Sequence, residues 1–462
     1  MYSRRSIGLL TLFVALAMLT AACGGGQAAT PTTSAAAAPT AAPTEAAPTE
    51  GAPTEAPSGE AVTLDLWFHS GRGAERDALQ TILDNFAAQN TNITVNAIEL
   101  PEGSYNDQVQ AAAFADTLPC LLDFDGPNMY NYAWGGFLIP LDDYVPADMK
   151  DDFLPSIVNQ GTFQDGKLYS LGQFDSGLAL YANKQYLEDA NVRIPTLDEP
   201  WTGDEFMSAL NSLKALDGVE YPLDTKLNYG IVGNEWVSYG FTPVIWSYGG
   251  SLIDRDTYQT ADGYINGQAT VDAMSLIQSW YQDGLANPQP AGDTEFTDGV
   301  AAISWVGHWA YAGYKDAMGD NLLLLPMPDF GTGPKTGMGS WNWGITSRCA
   351  NPDAAWTVLD FILQPDQILV MTNANGAVPA RRSALSQSDL YGPDGFLNLY
   401  VQQIDMGWAM PRAITPAYPA ITTAFQTAFG NIVDGADVQS EMDKAAQSID
   451  QDIQNNNGYP ID

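Results

Sequence analysis

The chain has 462 residues, of which 45% are hydrophobic, so it can bury a large core and is too long for one ordinary domain. Its 18 Lys plus Arg against 55 Asp plus Glu give a formal net charge of −37, which repels phosphate backbones and argues against nucleic-acid binding. Two histidines and three cysteines are too few for a zinc cluster or a cysteine-based redox centre, so any metal site would have to use carboxylates. We expect neither a metal nor a cofactor.

The first 22 residues predict a signal peptide. Arg4 and Arg5 precede an apolar run of about 13 residues at positions 7–19, and small residues follow it. This run is shorter than the roughly 20 residues that span a bilayer, which argues against a permanent transmembrane helix. The arginine pair leaves the twin-arginine and the general secretory routes of export both open.

A lipid anchor and a tether are predicted next. Residues 19–23 resemble a bacterial lipobox, in which the cysteine, here Cys23, is lipidated and becomes the new N-terminus. Between residues 23 and 60 the chain is mostly Ala, Pro, Thr and Glu, a composition that has little apolar surface to bury. We therefore predict a disordered tether that ends near residue 60 and a folded protein that begins near Ala61.

The first part of the folded chain alternates strands with helices. Its predicted elements, in chain order, are a strand at 62–68, a helix with apolar positions from 78 to 87, a strand at 93–98, a helix at 105–115 and a strand at 121–124. This alternation predicts a mainly parallel sheet with helices on both faces. Because such sheets bind ligands beyond the carboxyl ends of their strands, residues 69–73 and 125–128 are candidate ligand-binding loops.

A second block begins after Ser176. Residues 178–182 predict a strand, and Thr202 with Glu205 forms a capping box that opens a helix. Apolar positions from 438 to 453 fall on one face of a terminal helix. The segment from 176 to about 328 is therefore the predicted second lobe of an α/β protein.

Aromatic residues point to a class of ligand. The chain has 12 Trp and 21 Tyr, many for so acidic a protein. Flat amphipathic rings suit a polar, uncharged ligand that has apolar faces. This composition favours a carbohydrate.

Five short blocks in chain order carry a resemblance to a known family. They are LYANK at 180–184 with PWTGDEF at 200–206, WSYGGS at 246–251, FTDGVAA at 296–302 with GHW at 307–309, GITSRCANPDAAW at 344–356, and GAVPAR at 376–381 with the Pro-rich segment around Pro416. In this order they resemble the extracellular solute-binding proteins of family 1, the maltose-binding-protein-like sugar receptors of ABC importers. The resemblance covers residues 62–453.

The resemblance implies a two-lobed periplasmic-binding-protein fold of type II, with an interlobe cleft and hinge crossings. Lobe 1 would take residues 60–175 and 340–390, and lobe 2 residues 176–339 and 391–462. In such folds the strand that returns to lobe 1 runs antiparallel beside its third parallel strand, which would bring Cys349 near Cys120. A disulfide between these two cysteines and a pair of free buried thiols are both open.

The resemblance also implies a set of ligand-binding residues on the loops that border the cleft. The candidates for hydrogen bonds to sugar hydroxyls are His69, Ser70, Arg72, Asp125, Asn128, Asp175, Ser176, His308 and Asn342. The candidates for stacking on the sugar are Tyr239, Trp246, Trp305, Trp309, Trp341 and Trp343. Arg412 would either pair with a carboxylate or hold an anionic ligand bidentately. Loop capping and core packing are the alternative roles for all of them.

We predict a monomeric lipoprotein, not an enzyme, that captures a mono- or oligosaccharide and delivers it to the permease subunits of an ABC importer. It would be anchored by lipid on the outer side of the cytoplasmic membrane or lie in the periplasm. The alternative within this class is a receptor for glycerol phosphate or another phosphorylated polyol, which Arg72 and Arg412 suggest. Two other classes are a secreted glycoside hydrolase, which needs a carboxylate pair about 5 to 10 Å apart, and an adhesive surface protein.

Overall fold

The computed structural model describes residues 61–71 and 73–461. The strands in these ranges are, in chain order, β1 (Val62–His69), β2 (Ile93–Leu100), β3 (Leu121–Asp125), β4 (Phe174–Asp175), β5 (Leu178–Asn183), β6 (Leu223–Asp224), β7 (Ile303–Gly307), β8 (Leu322–Leu325), β9 (Thr336–Met338), β10 (Trp341–Ile345), β11 (Val378–Pro379) and β12 (Ala409–Pro411). The predicted signal peptide, the predicted lipidation site Cys23, the tether and Arg72 lie outside the described residues.

The helices of the same ranges are α1 (Gly73–Gln89), α2 (Tyr105–Ala115), α3 (Met129–Trp134), α4 (Ala147–Asp152), α5 (Pro155–Gly161), α6 (Lys184–Asp189), α7 (Gly203–Lys214), α8 (Trp236–Ser247), α9 (Gln268–Gln282), α10 (Tyr311–Met318), α11 (Pro352–Ile362), α12 (Pro365–Asn375), α13 (Arg382–Leu385), α14 (Asn398–Asp405), α15 (Tyr418–Val433) and α16 (Val438–Asn455). Across the described chain, none of these helices combines the length and the apolar character that crossing a membrane requires.

The sheet of the first lobe confirms the predicted order of strands and helices. Its strand order is β10-β3-β1-β2, in which β1 is parallel to both β2 and β3. The returning strand β10 is antiparallel to β3, as the family resemblance implied, and pairs Trp341 with Asp125. Because β1 and β3 are parallel, their last residues, His69 and Asp125, lie at the same edge of the sheet.

Helices cover both faces of this sheet because alternate strand residues point to opposite sides. Leu121 packs with α1, α11 and α12 in one buried cluster, whereas Leu122 and Phe124 pack with α2 and α3 in another. Burial of each such side chain stabilises the fold by about 1.5–3 kcal/mol. The edge that carries His69 and Asp125 is thus fixed from both sides.

The sheet of the second lobe is mainly antiparallel, unlike the first. Its strand order is β6-β7-β5-β8, with β5 antiparallel to β7 and β8, and with β6 parallel to β7. All six residues of β5 are buried, because helices and loops cover both of its faces. The predicted capping box is confirmed at the start of α7, where Thr202 and Glu205 bond to each other's backbone N–H.

Two short ladders lie beside the crossings between the lobes. One pairs β4 with β11 in antiparallel orientation, and the other pairs β9 with β12 in parallel. The buried Asp175 belongs to the first crossing, and its Oδ1 accepts hydrogen bonds of 2.8 Å from the backbone N–H groups of Ser176 and Gly339. A single carboxylate therefore ties the crossing at 175–178 to the crossing at 338–341, and the two-lobed architecture with hinge crossings is confirmed.

Cys120 and Cys349 form a disulfide with Cα atoms 4.2 Å apart. Cys120 precedes β3 and Cys349 follows β10, so the antiparallel pairing of these strands brings the two residues together. The bridge links positions 229 residues apart in sequence. A cross-link over a long loop restricts the unfolded chain and typically contributes about 2–4 kcal/mol.

Candidate ligand-binding cleft

A cavity of about 210 Å³ opens between the two lobes, at the edge of the first sheet where β1 and β3 end. Its walls come from both lobes and from the crossings. The predicted residues that line it are His69, Asp125, Asn128, Ser176, Tyr239, His308, Trp309, Trp341 and Arg412. The structure therefore brings together residues that are up to 343 positions apart, from 69 to 412.

Trp341 forms the aromatic wall of the first lobe. It begins β10, where the antiparallel register sets it opposite Asp125. The His69 ring stacks on it at a centroid distance of 3.6 Å and an interplanar angle of 9°, and the edge of Tyr105 meets it at 5.5 Å. Because His69 covers one face of the indole, a ligand can use only the remaining surface of Trp341.

His69 is held by two carboxylates behind this wall. Its Nδ1 lies 2.5 Å from Asp123 Oδ2, and its Nε2 lies 3.8 Å from Glu75 Oε1. Burial alone would lower the pKa of His69, but the neighbouring carboxylates of Asp123 and Glu75 raise it by a larger amount. The pKa of His69 therefore lies well above 6.5. Burial also raises the pKa of Asp123, and His69 opposes that rise. We infer that His69 is charged at neutral pH.

Trp309 forms the aromatic wall of the second lobe, just after β7. A Cβ on Gly307 would lie 2.1 Å from the Trp309 ring, so only glycine lets this ring fold back against the strand end. Trp236 meets the ring edge-on at 6.0 Å, and the indole N–H donates to the Tyr229 hydroxyl at 3.3 Å. These contacts fix the orientation of Trp309 before any ligand arrives.

A hydrogen-bonded relay runs through the hinge beneath the cavity. The Tyr239 hydroxyl donates to Ser176 Oγ at 2.9 Å, and Ser176 Oγ lies 3.1 Å from His308 Nε2. His308 Nδ1 lies 2.8 Å from the carbonyl oxygen of Asn375. Burial lowers the pKa of His308 to about 4, so its neutral ring donates from Nδ1 and accepts the Ser176 proton at Nε2. The relay reaches the first lobe through Asn375, the last residue of α12.

The two histidines predict opposite pH dependences of folding stability. Because the pKa of His69 is raised, its contribution is complete below about pH 6.5 and is lost as the pH rises through its folded pKa. Because the pKa of His308 is lowered to about 4, its contribution is complete above about pH 6.5 and is lost as the pH falls towards 4. We expect His69→Gln to flatten the alkaline limb of the stability profile and His308→Gln the acidic limb, measured by urea unfolding between about pH 4.5 and 9. Comparison with the parent protein cancels the other titrating groups, and identical profiles for the two variants would contradict this assignment.

Arg412 joins the lobes by a buried group of charges. Its Nη1 and Nη2 donate to the two oxygens of Asp125 at 2.6 and 2.5 Å, and Nη1 also donates to Glu235 Oε2 at 3.0 Å. Asp125 ends β3 of the first lobe, whereas Glu235 precedes α8 of the second. The guanidinium lies 5.1 Å from the ring centre of Tyr239. Burial lowers the pKa of Arg412, but the carboxylates hold it well above its usual range.

The charge around the cavity is predominantly negative. Glu75, Glu102 and Asp107 line it in addition to Asp125 and Glu235. Among the described residues, the cations that line it are Arg412 and the protonated His69, and both are already paired with carboxylates. This surface repels an anion and leaves a neutral ligand unaffected.

Asn128 offers an unused amide to the cavity. It lies in the turn after β3, is 5% exposed, and its side chain makes no hydrogen bond within the described ranges. Asn106 also lines the cavity, and its Oδ1 accepts from the Tyr132 hydroxyl at 2.8 Å. Its amide NH₂ therefore points away from Tyr132. A hydroxyl that both donates and accepts would satisfy the Asn128 amide.

Three predicted stacking residues do not line this cavity. Trp305 is fully buried in the core of lobe 2, where its indole donates to the carbonyl of Gly240 at 2.8 Å. Trp343 lies two residues further along β10 than Trp341 and packs in the core of lobe 1. Trp246 lies two turns beyond Tyr239 on α8, too far along the helix to reach the opening.

Three predicted polar residues also serve the fold rather than the cavity wall. Asp175 ties the two crossings together, as described above. The Asn342 amide donates to the carbonyl of Ser340 at 2.9 Å. Ser70 Oγ accepts from the backbone N–H of Glu102 at 3.2 Å and so fixes the neighbouring loop.

Sequence reasoning missed much of the lining. The residues it did not anticipate include Glu75, Glu102, Tyr105, Asn106, Asp107, Phe174, Tyr229, Asn234, Glu235, Trp236, Ser340, Thr422, Thr423 and Gln426. The group at 102–107 had a usable signal, because it follows the carboxyl end of β2 at the same edge of the sheet. The residues of α15 had none, because tertiary packing alone carries them to the cleft.

The comparisons with known proteins agree with this architecture. Residues 81–392 match the family described as bacterial extracellular solute-binding protein. The galactooligosaccharide-binding protein of Bacillus subtilis (strain 168) is 22% identical over 77% of this chain and 82% of its own length. The cyclic alpha-maltosyl-1,6-maltose binding protein from Arthrobacter globiformis superposes with a TM-score of 0.68 at 23% identity, covering 86% of this chain and 100% of that one.

The maltose/maltodextrin-binding domain of Bdellovibrio bacteriovorus, solved with maltotriose bound, superposes with a TM-score of 0.72 at 21% identity, covering 85% of this chain and 100% of that one. At such identities the solved structures show a common fold. The family match itself spans well over half of the chain. This chain therefore belongs to the bacterial extracellular solute-binding protein family.

Proposed function

We propose that this protein is the extracytoplasmic receptor of an ABC importer for a neutral mono- or oligosaccharide. The observation that carries the proposal is that Trp309 and Trp341, from different lobes, line one cavity whose cations, as far as the residues are described, are already paired with carboxylates. Aromatic surface combined with hydroxyl-matching polar groups, and with no unpaired cation among the described lining residues, suits an uncharged sugar. The relatives named above for galactooligosaccharide and maltodextrin binding support the same class of ligand.

Each lobe contributes part of the proposed site, so binding of the ligand is linked to closure of the lobes. The sugar would pack against Trp309 and Trp341 and exchange hydrogen bonds with Asn128, while His69, Ser176, Tyr239, His308 and Arg412 hold the walls in place. A ligand that contacts both walls favours the closed form by its higher affinity for it. A permease that recognises the closed form would then receive the sugar chemically unchanged.

The placement in the cell and the lobe limits belong to the same proposal. We propose a monomer tethered through lipidated Cys23 at the cell envelope. We also propose lobe 1 as residues 60–175 with 340–390, and lobe 2 as 176–339 with 391–462. The packing of α11 and α12 on the first sheet, and of α15 and α16 with the second, supports these limits.

A phosphorylated polyol is a weaker candidate than a neutral sugar. Both terminal nitrogens of Arg412 already bond to Asp125, and one of them also bonds to Glu235. A phosphate group would have to displace these carboxylates and bring its own charge into an acidic cavity. Because that exchange only replaces one bidentate ion pair with another, it contributes little binding free energy.

Hydrolysis of the bound sugar also fits the geometry poorly. A glycoside hydrolase needs a protonated carboxyl group that faces the scissile bond. Burial raises the pKa of Glu235, but Arg412, Tyr418 and Thr422 occupy its two oxygens. Glu235 is therefore placed to hold Arg412 and Tyr418.

A binding panel tests the proposal. Calorimetric titration and thermal shift would compare neutral mono-, di- and oligosaccharides with glycerol phosphate at low and high salt. We expect at least one neutral sugar to bind with a salt-independent affinity and to raise the melting temperature. Binding of glycerol phosphate alone, weakened by salt, would transfer the assignment to a phosphorylated ligand, and release of reducing ends would replace it with a hydrolase.

A further inference from the structure

A second, smaller cavity lies inside lobe 2, on the far side of Arg412 from the cleft. It has a volume of about 20 Å³, and its walls include Ser238 and Thr242 of α8, together with Arg255 and Arg412. Room for one water molecule requires about 10–15 Å³, so a single small occupant fits here and a tetrahedral oxyanion does not.

Arg412 presents an unused donor at this place. Its Nη atoms are committed to Asp125 and Glu235, whereas its buried Nε–H finds no acceptor among the described residues. A buried donor without an acceptor costs roughly 1–3 kcal/mol, so native structures rarely leave one unsatisfied. The Nε–H therefore requires an acceptor that the described residues do not supply.

Arg255 contributes a second guanidinium that lacks a carboxylate partner. Its Nη2 donates to the carbonyl of Pro411 at 2.9 Å, and its Cζ lies 5.7 Å from the ring centre of Trp246. No ion pair joins it to any carboxylate of the described chain. Burial, without a compensating anion, lowers its pKa. Such isolation is unusual in a protein with 55 acidic and 18 basic residues.

Its sequence neighbours do not neutralise Arg255, because local turns use their carboxylates. Asp254 accepts from the backbone N–H of Asp256 at 3.0 Å and from Thr257 Oγ1 at 2.6 Å. Asp256 itself is exposed on the surface. Because Arg255 lines the small cavity and lies near Trp246, its charge is available to an occupant of that cavity.

The hydroxyl groups of the cavity wall already donate their hydrogen bonds to acceptors within the protein. Thr242 donates to the carbonyl of Ser238 at 2.7 Å. Thr422 donates to Glu235 at 3.0 Å, so in the 2.7 Å contact between Ser238 and Thr422 the donor is Ser238. Among the described side chains of the wall, the guanidinium N–H groups and the Trp246 indole N–H are thus the donors left for an occupant.

We propose that this cavity binds a single halide ion, chloride under physiological conditions, between Arg255 and Nε of Arg412. A water molecule could accept from Nε, but it would leave the half-buried charge of Arg255 uncompensated. A halide accepts from both guanidinium groups and compensates that charge. The negative charge of the whole protein opposes entry of an anion, as do Asp125 and Glu235, which bond to Arg412. The two guanidinium groups line the cavity, whereas those carboxylates do not, so the guanidinium groups lie nearer to the ion and offset the opposing field.

Halide binding would act on the cleft through Arg412, which lines both cavities. The ion would hold the guanidinium from behind while Asp125 and Glu235 hold it from the front. Chloride is therefore expected to stabilise the protein with or without sugar, so the site does not depend on the proposed function. Where ligand affinity also responds to chloride, the two effects must be reciprocal.

Thermal unfolding in sodium chloride and in sodium gluconate at equal ionic strength tests the site. We expect chloride and bromide to raise the melting temperature of the protein by about 2 °C or more, with saturation, and gluconate to have no such effect. Arg255→Gln keeps an amide donor for Pro411 but removes the charge, and it should abolish the halide effect. Arg348→Gln, at an exposed arginine paired with Asp116, is the matched control and should retain it.

Crystals soaked in sodium bromide give a second, independent reading. The proposal predicts an anomalous peak between the Arg255 guanidinium and Arg412 Nε, present in the parent protein and absent in Arg255→Gln. An ordinary water molecule at that place, or equal melting temperatures in chloride and gluconate, would overturn the proposal. If Arg255→Gln does not fold, the bromide peak in the parent protein decides alone.

Discussion

Replacement of Arg412 by glutamine is expected to weaken binding of the preferred sugar by about 10²–10³-fold. The change leaves Asp125 and Glu235 buried without their cation, and removal of one partner of a buried charge group typically costs about 3–5 kcal/mol. Because these carboxylates belong to different lobes, the loss falls on the closed arrangement that holds the ligand. Calorimetric titration of the variant with the best ligand of the panel measures the effect.

Two further variants separate the role of Arg412 from a general loss of stability. Arg381→Gln removes an arginine that pairs with Asp152 at 2.7 Å outside the cleft, and it should lower stability while leaving sugar affinity unchanged. Arg412→Lys keeps the charge but loses the bidentate geometry, and we expect an intermediate affinity. Sugar binding by Arg412→Gln at parental strength would show that the charge group does not support the closed form.

Trp309→Ala is expected to reduce sugar affinity by about 30-fold or more. Truncation of a tryptophan at the centre of a binding site typically costs about 2 kcal/mol or more, and here it also removes the partner of Tyr229 and Trp236. Trp309→Phe keeps an aromatic face and should restore most of the affinity. Tryptophan fluorescence would be confounded by the change itself, so calorimetry is the appropriate measurement.

Trp356→Ala is the matched control for Trp309→Ala. Trp356 lies on α11, packs against Tyr144 and does not line the cavity. We expect it to bind the sugar as the parent protein does. An equal loss of affinity in both variants would point to general destabilisation, and no loss in Trp309→Ala would place the ligand away from this wall.

Local patterns were sufficient for most of the first lobe. Strand and helix periods predicted β1, α1, β2, α2 and β3 in order, and α2 occupies its predicted residues. His69 and Asp125 could be placed near the ligand because both end parallel strands, and such ends share one edge of a sheet. These inferences need only short-range information and one rule of topology.

Whether a tryptophan lines the cavity or packs in the core could not be predicted in the same way. Trp341 and Trp343 share one face of β10, yet Trp341 lines the cavity and Trp343 packs in the core. Only the position of the lobe boundary along the strand separates them, and no local pattern encodes it. Likewise Trp305 and Trp309 are four residues apart, but Trp305 is inside the strand and Trp309 just beyond its end.

The side-chain partners that the interlobe crossings bring together could not be predicted from the sequence either. Arg412 was a candidate either for a structural ion pair or for an anionic ligand, and the sequence could not choose between them. Glu235 and Asp125, separated by more than 100 residues, make that choice by meeting the same guanidinium group. The charge that a ligand encounters in the cleft thus depends on which carboxylates the folded chain brings to Arg412.

The structure of the complex with the tightest-binding carbohydrate of the panel is the strictest test of the proposed binding mode. We expect an intact sugar between the lobes, with its apolar ring faces against Trp309 and Trp341 and a hydroxyl within hydrogen-bonding distance of the Asn128 amide. Arg412 should keep its bonds to Asp125 and Glu235 in that complex. A ligand bound outside this cavity, or one that displaces Asp125 from Arg412, would contradict the account.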